Sequence, residues 1–178
     1  MQTEIIISGF GGQGVLFVGQ LLSYASMDSD LEVTWIPSYG PEMRGGTANC
    51  TVVISDEEIG APVVRNPEVA LVLNLPSLDK LENSVKPGGL LVVNTSMVNR
   101  TPLRKDIRIV SLPANDIAEK IGDKRMLNMV MLGAMIANHH VLSLAAIEKA
   151  LRDHLPARHQ HFLKFNIEAL KAGSAYIL

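Results

Sequence analysis

The stretch Glu4-Ile5-Ile6-Ile7-Ser8-Gly9-Phe10-Gly11-Gly12-Gln13-Gly14-Val15 decides the fold. A short β-branched run that breaks into glycines reads as a strand buried on both faces, as in a parallel sheet. Beyond Gly14, Val15, Val18, Leu22 and Ala25 recur at helical spacing up to Ser26. Strand, glycine loop and helix in that order open an α/β fold. Residues 31–36, Leu-Glu-Val-Thr-Trp-Ile, read as the next strand and complete a βαβ unit.

Further out, a polar loop over 37–48 leads to a third strand at about 49–55. Residues 69–73 and 90–94 read as two more buried strands, with a short helix near 77–84 between them. Lys86-Pro87-Gly88-Gly89 is a turn before the second of these, and 107–112 reads as a further strand. From Asn115 the pattern turns helical. Asn115 is placed to cap a helix ending near Gly122, 125–138 is a nearly all-apolar helix destined for burial or an interface, Ser143 starts another, and 158–172 makes the last. The expected fold is therefore a three-layer α/β/α Rossmann-like sandwich, with a mostly parallel sheet and C-terminal helices, forming a single domain over 1–178.

Composition narrows the function. Of 178 residues, 47% are apolar and only 19% charged, against about 25% charged in average chains. The excess apolar surface points to a partner interface. Sixteen basic and 18 acidic residues give a net charge of −2, which excludes a strongly cationic nucleic-acid surface. At 4%, aromatic residues are too scarce to build stacking platforms. A single cysteine, Cys50, excludes a disulfide framework, a Cys-rich zinc site and a self-contained iron–sulfur cluster. The N-terminal Met-Gln-Thr-Glu offers no basic region ahead of an apolar one, and no apolar run reaches the roughly 20 residues of a membrane span. A cytoplasmic location is expected.

Gly9-Phe10-Gly11-Gly12-Gln13-Gly14 is a G-x-G-x-x-G loop in the strand-to-helix context of a dinucleotide fingerprint. Its glycines allow close backbone approach, and the helix N-terminus attracts an anion. The fingerprint also wants an acidic residue at the end of the second strand, and that strand ends Trp35-Ile36-Pro37-Ser38. Glu32 lies near the expected distance but at the strand's start, the wrong edge of the sheet. Three readings stay open: a nicotinamide or flavin nucleotide, glycines serving tight helix–strand packing, or contact with another ligand or partner chain. A second loop, Ser38-Tyr39-Gly40-Pro41-Glu42-Met43-Arg44-Gly45-Gly46-Thr47, leaves the carboxyl end of the second strand, where ligands gather in open α/β sheets. Glu42 and Arg44 are placed to pair with each other, clamp a ligand or cap an interface.

The glycine loop followed by Pro37-Ser38-Tyr39-Gly40-Pro41-Glu42-Met43-Arg44-Gly45-Gly46-Thr47-Ala48-Asn49-Cys50 closely resembles the gamma subunit of 2-oxoacid:ferredoxin oxidoreductases. The resemblance extends through Ser55 to Gly60, the Lys-Pro-Gly-Gly turn and Asn128, and its form is nearer the 2-oxoglutarate or branched-chain types than the pyruvate type. The resemblance implies a subunit of an enzyme that oxidatively decarboxylates a 2-oxoacid to acyl-CoA and CO2 and reduces ferredoxin. It also implies thiamine diphosphate, Mg and iron–sulfur clusters held on alpha, beta and ferredoxin-like delta subunits, with CoA nearby. No cofactor is held by this chain alone, and no nucleic acid or membrane is involved. Gly9, Gly11, Gly12, Gln13, Gly14, Ser38, Tyr39, Gly40, Glu42, Arg44, Gly45, Gly46 and Thr47 become candidates for contact with CoA or the catalytic chains. The residues agree on one point: with one cysteine, no thiamine diphosphate–magnesium pattern and no nucleophile–base pair, this chain holds no catalytic residue and cannot run that chemistry alone. The rival readings are a stand-alone nucleotide-binding protein and a purely structural assembly subunit.

Other residues read as structural. The five histidines, His139, His140, His154, His159 and His161, lack metal-ligand spacing. Cys50 reads as a small hydrophobe in the third strand. Met126, Met129, Met131 and Met135 belong to core or a subunit interface. Lys80, Lys86, Arg100, Arg104, Lys105 and Arg108 form a loose basic stretch, either solvated or facing a partner or the CoA phosphates.

Overall fold

A computed structural model describes residues 1–39 and 46–178. Six strands form one sheet in the order β2-β3-β1-β4-β5-β6. They are β1 (Gln2–Phe10), β2 (Glu32–Tyr39), β3 (Thr47–Ser55), β4 (Val69–Val72), β5 (Leu90–Asn94) and β6 (Arg108–Leu112). The helices are α1 (Val15–Met27), α2 (Leu75–Leu81), α3 (Ala114–Ile121), α4 (Leu127–Asn138), α5 (Leu144–His154) and α6 (Leu163–Ser174).

The expected α/β architecture is present, with one change of strand order. β1, β4, β5 and β6 run parallel as neighbours. β2 is not adjacent to β1. Strand β3 lies between them, antiparallel to both, so β2 and β3 form a hairpin. A polar loop of only a few residues cannot reach across the sheet to start a parallel strand, so the chain must turn back on itself. The pairing sets Ile7 opposite Cys50 and Phe10 opposite Thr47.

The faces of the sheet are unequally covered. Ile5, Ile7, Cys50, Val52, Leu71 and Val92 point to a large core shared with α1 and the C-terminal helices. The other face packs Ala70, Val72, Leu91 and Val93 on α2 and on Val98 and Ile107. The apolar α4 is the middle of the helical layer, and its Met129, Met131 and Met135 are fully buried, which places them in the core. Gly133 of α4 meets the backbone at Leu170, and Gly173 of α6 meets it at Val130, so these two helices cross with main chains in contact.

Caps follow the sequence only in part. Ser143 Oγ accepts from Ala146 N and starts α5. Asn74 Oδ1 does the same for α2 through Ser77 N at 3.0 Å. Asn115 does not cap α3, whose N-cap is Pro113. Its Oδ1 accepts from Asn94 Nδ2 at 2.9 Å instead, because Asn94 already supplies an acceptor to Ala114 N. The last helix starts later than expected: a 3-10 segment over Ala157–Phe162, with Pro156 at its N-cap, precedes α6.

Three of the six bases in the basic stretch pair with acids among the described residues, one of them Arg104 with Asp106. Arg100 pairs with Asp79 and Glu82, and Lys86 with Glu4. The buried Glu82 also accepts from the amides of Leu103 and Arg104, which fastens the segment before β6 to α2.

Candidate functional site

The site is built at the carboxyl ends of β1, β4 and β5. The glycine loop closes there. Gly12 and Gly14 have φ of 94° and 76°, conformations that favour glycine, and Gly14 is the N-cap of α1. No side chain caps α1 and its first turn carries no acidic residue, which leaves the positive end of its dipole open to an anion. Gln13 turns inward: its Oε1 accepts from Phe10 N at 2.6 Å, over a Gly9 whose missing side chain makes room for it.

The second loop meets the first. Gly11 N donates to Gly46 O at 3.0 Å, and Thr47 lies opposite Phe10. Ser38 lies opposite Asn49, and Asn49 opposite Ser8, so one transverse row links the ends of β2, β3 and β1. Ser8 Oγ donates to Asn49 Oδ1 and also contacts Ser77 Oγ at 2.8 Å. Of the proposed site residues, Gly9, Gly11, Gly12, Gln13, Gly14, Ser38, Gly46 and Thr47 are thus gathered at one edge, with the backbone of Tyr39. Gly40, Glu42, Arg44 and Gly45 lie outside the described residues.

Asparagines at strand ends, missed by motif reading, complete the edge. Asn94 Nδ2 donates to Leu73 O at 3.1 Å, and Asn74 Nδ2 approaches Gln13 Oε1 at 3.5 Å. Asn128, from the buried helix α4, donates to Gly14 O. The signal for Asn74 and Asn94 was an asparagine closing an apolar strand, where an amide side chain can bind the next loop.

Glu32 begins β2 opposite Ser55, at the far edge of the sheet from the glycine loop. It cannot reach a ribose bound there, so the dinucleotide fingerprint stays incomplete. Cys50 is fully buried, and burial pushes its thiol up to about 12, against smaller opposing contacts from Trp35 and the Gly19 backbone. A neutral buried thiol is a poor metal ligand. Among the described residues no group of three or more His, Cys, Asp or Glu side chains is placed to hold a metal ion. Among the described residues the donor set does not fit an iron–sulfur cluster or the magnesium of thiamine diphosphate.

Comparison with known proteins gives this edge a family. The model for pyruvate ferredoxin/flavodoxin oxidoreductases matches residues 4–176, and the chain belongs to that family. Within it, the chain is 37% identical to the 2-oxoglutarate synthase subunit KorC of Methanothermobacter marburgensis, over 100% of this chain and 98% of that one. It is also 37% identical to the ketoisovalerate oxidoreductase subunit VorA of Methanothermobacter thermautotrophicus, over 98% of this chain. The chain spans only 36% of that relative's length. A solved gamma subunit of a keto/oxoacid ferredoxin oxidoreductase from Geobacter sulfurreducens superposes with a TM-score of 0.87, at 29% identity, over 99% of this chain and 96% of that one. No helix in the described residues is long and apolar enough to cross a membrane.

Proposed function

We propose that this chain is the gamma-type component of a cytoplasmic 2-oxoacid:ferredoxin oxidoreductase acting on 2-oxoglutarate or a branched-chain 2-oxoacid. The overall conversion takes a 2-oxoacid, CoA and two oxidised ferredoxins to acyl-CoA, CO2, two reduced ferredoxins and one proton. Thiamine diphosphate, magnesium and iron–sulfur clusters supply the decarboxylation and electron transfer from alpha, beta and ferredoxin-like delta chains. This chain contributes a shaped edge. The amides of Gly12 and Gly14 and the open end of α1 suit a phosphate or a partner's carboxylate, while the Gly11 and Gln13 amides are spent inside the fold. The segment from Ser38 to Thr47, with Arg44 and Glu42, would lie against CoA or the catalytic chain.

The observation that carries this reading is the junction of the two glycine motifs at Gly11 N–Gly46 O, in a chain matching the KorC relative end to end. The test is anaerobic affinity purification from the native host, with native mass spectrometry and thiamine and iron assays. Co-purification with larger chains carrying thiamine diphosphate and iron is expected. Recovery of the chain alone, free of both, would overturn the assignment. In the assembled enzyme, Arg44→Ala should lower CoA-dependent turnover or complex formation while the fold survives.

A further inference from the structure

A half-open groove of about 460 Å³ runs from Gly12 and Gly14 along the outer side of α1 to the end of α5. This size falls within the roughly 300–1,000 Å³ of small-molecule sites. Phe17, Leu21 and Tyr24 line one wall, and their spacing puts them on one face of α1. Leu151 of α5 and Leu155 just beyond its end face them, and the floor is Phe162.

The charge on this groove is one-sided. The guanidinium groups of Arg125 and Arg158 line it beside the imidazoles of His154 and His159, and no carboxylate does. The chain as a whole carries a net charge of −2, so this concentration of bases is local. Two of the bases are held by acids outside the lining: Asp123 pairs with Arg125 at 2.6 Å and Asp28 with His154 at 2.9 Å. Arg158 differs. Its Nε donates to His159 Nε2 at 3.1 Å, and among the described residues no carboxylate pairs with it. The Arg125 guanidinium lies 4.3 Å over the Phe162 ring, which fixes a cation at the edge of the apolar floor. Tyr24 and His154 stack with centroids 4.3 Å apart and close the far end.

An apolar trough whose rim carries two arginines, one of them without a carboxylate partner among the described residues, suits a molecule with an apolar body and an anionic head. We propose that this groove binds an amphipathic organic anion, its carboxylate or phosphate head at Arg158 and Arg125 and its chain or ring along Phe17, Tyr24 and Phe162. The groove shares Gly12 and Gly14 with the edge proposed to face CoA, and the site proposed here lies beyond them, between α1, the end of α5 and Phe162.

The probe is 1-anilinonaphthalene-8-sulfonate, itself an amphipathic anion, titrated by fluorescence into the full chain. Saturable binding at one site is expected, displaced by decanoate or by decyl phosphate. The stronger competitor at equal concentration identifies the head group, and displacement by neither overturns the site. Arg158→Gln and the Arg125→Gln/Arg158→Gln pair should weaken the probe by about tenfold or more, as loss of a charge-assisted contact requires. Arg152→Gln, outside the lining, should leave it unchanged. Melting temperatures of all three variants check that the fold is kept. Non-saturable binding, equal affinity in the double variant, or displacement by CoA as effective as that by decanoate would each overturn the proposal.

Discussion

Asn128 Nδ2 donates to the carbonyl oxygen of Gly14 at 3.3 Å, joining the centre of the helical layer to the glycine loop across 114 residues of chain. Asn128 Oδ1 accepts from Met129 N at 2.9 Å, so the amide is oriented by its own helix. A side chain at Gly14 would collide with this amide.

Gly14→Ala should destabilise the chain by more than the roughly 1–2 kcal/mol of left-handed strain alone. Asn128→Ala should cost about 1 kcal/mol for the lost buried hydrogen bond. Combined, they should fall short of their sum by at least about 0.5 kcal/mol, because the second change clears the space the first one needs. Urea unfolding of the three variants measures this, and strict additivity would refute the steric coupling.

Gly173→Ala in α6 should cost near the top of the roughly 1–3 kcal/mol range for overpacking. The added methyl would fall on Val130 O, which is backbone and cannot rotate away. Gly60→Ala, where a side chain meets open space, is the control and should shift the melting temperature little.

The Cys50 thiol should resist alkylation in the native chain at pH 8 and react once it is denatured, because burial raises its pKa to about 12. The sign of the pH effect follows. The unfolded thiol ionises near 9, so the stability contributed by the protonated native form is complete below that pH and is lost as pH rises toward 12. Cys50→Ala should flatten this alkaline decline in thermal stability.

Glu82 behaves in the opposite sense. Burial alone would raise its carboxyl, but the Leu103 amide, the Arg100 guanidinium and the Arg104 amide outweigh it and hold the group below 4.5. Its stabilisation is present above that ordinary value and is lost as pH falls through the native one. Glu82→Ala should cost roughly 3 kcal/mol at neutral pH, by leaving Arg100 and two amides short of their acceptor. The loss should shrink as pH drops below 4.5, read from melting curves between neutral and acid pH.

The glycine loop was legible because local pattern alone specifies it: β-branched residues, then glycines, then helical spacing over Val15 to Ala25. So were the buried α4 and the Ser143 cap. The place of β3 was not, because period and propensity set a strand's existence and faces but not its neighbour. The Asn128–Gly14 contact and the groove were equally hidden. Arg125, Arg158 and His159 belong to no motif in the sequence, and only the groove between α1, the end of α5 and the 3-10 segment brings them together. Asn115 misled for a related reason, since its cap role was taken by Asn94, a residue 21 positions earlier.

The two chain ends lie on the same side of the sheet. The Met1 amine pairs with Asp56 at the entry to β1, while Leu178 N is held by Asn138 Oδ1 and Asn138 O accepts from Arg108, the first residue of β6. All of these lie at the amino ends of the parallel strands, away from Gly9 to Gly14. A polypeptide continuing past either end would therefore be tethered at the rear, leaving the glycine edge unobstructed. The same unit is thus suited to stand as a separate subunit, as in the KorC relative, or to be spliced into a chain nearly three times its length, as in the VorA relative, without rebuilding its working edge.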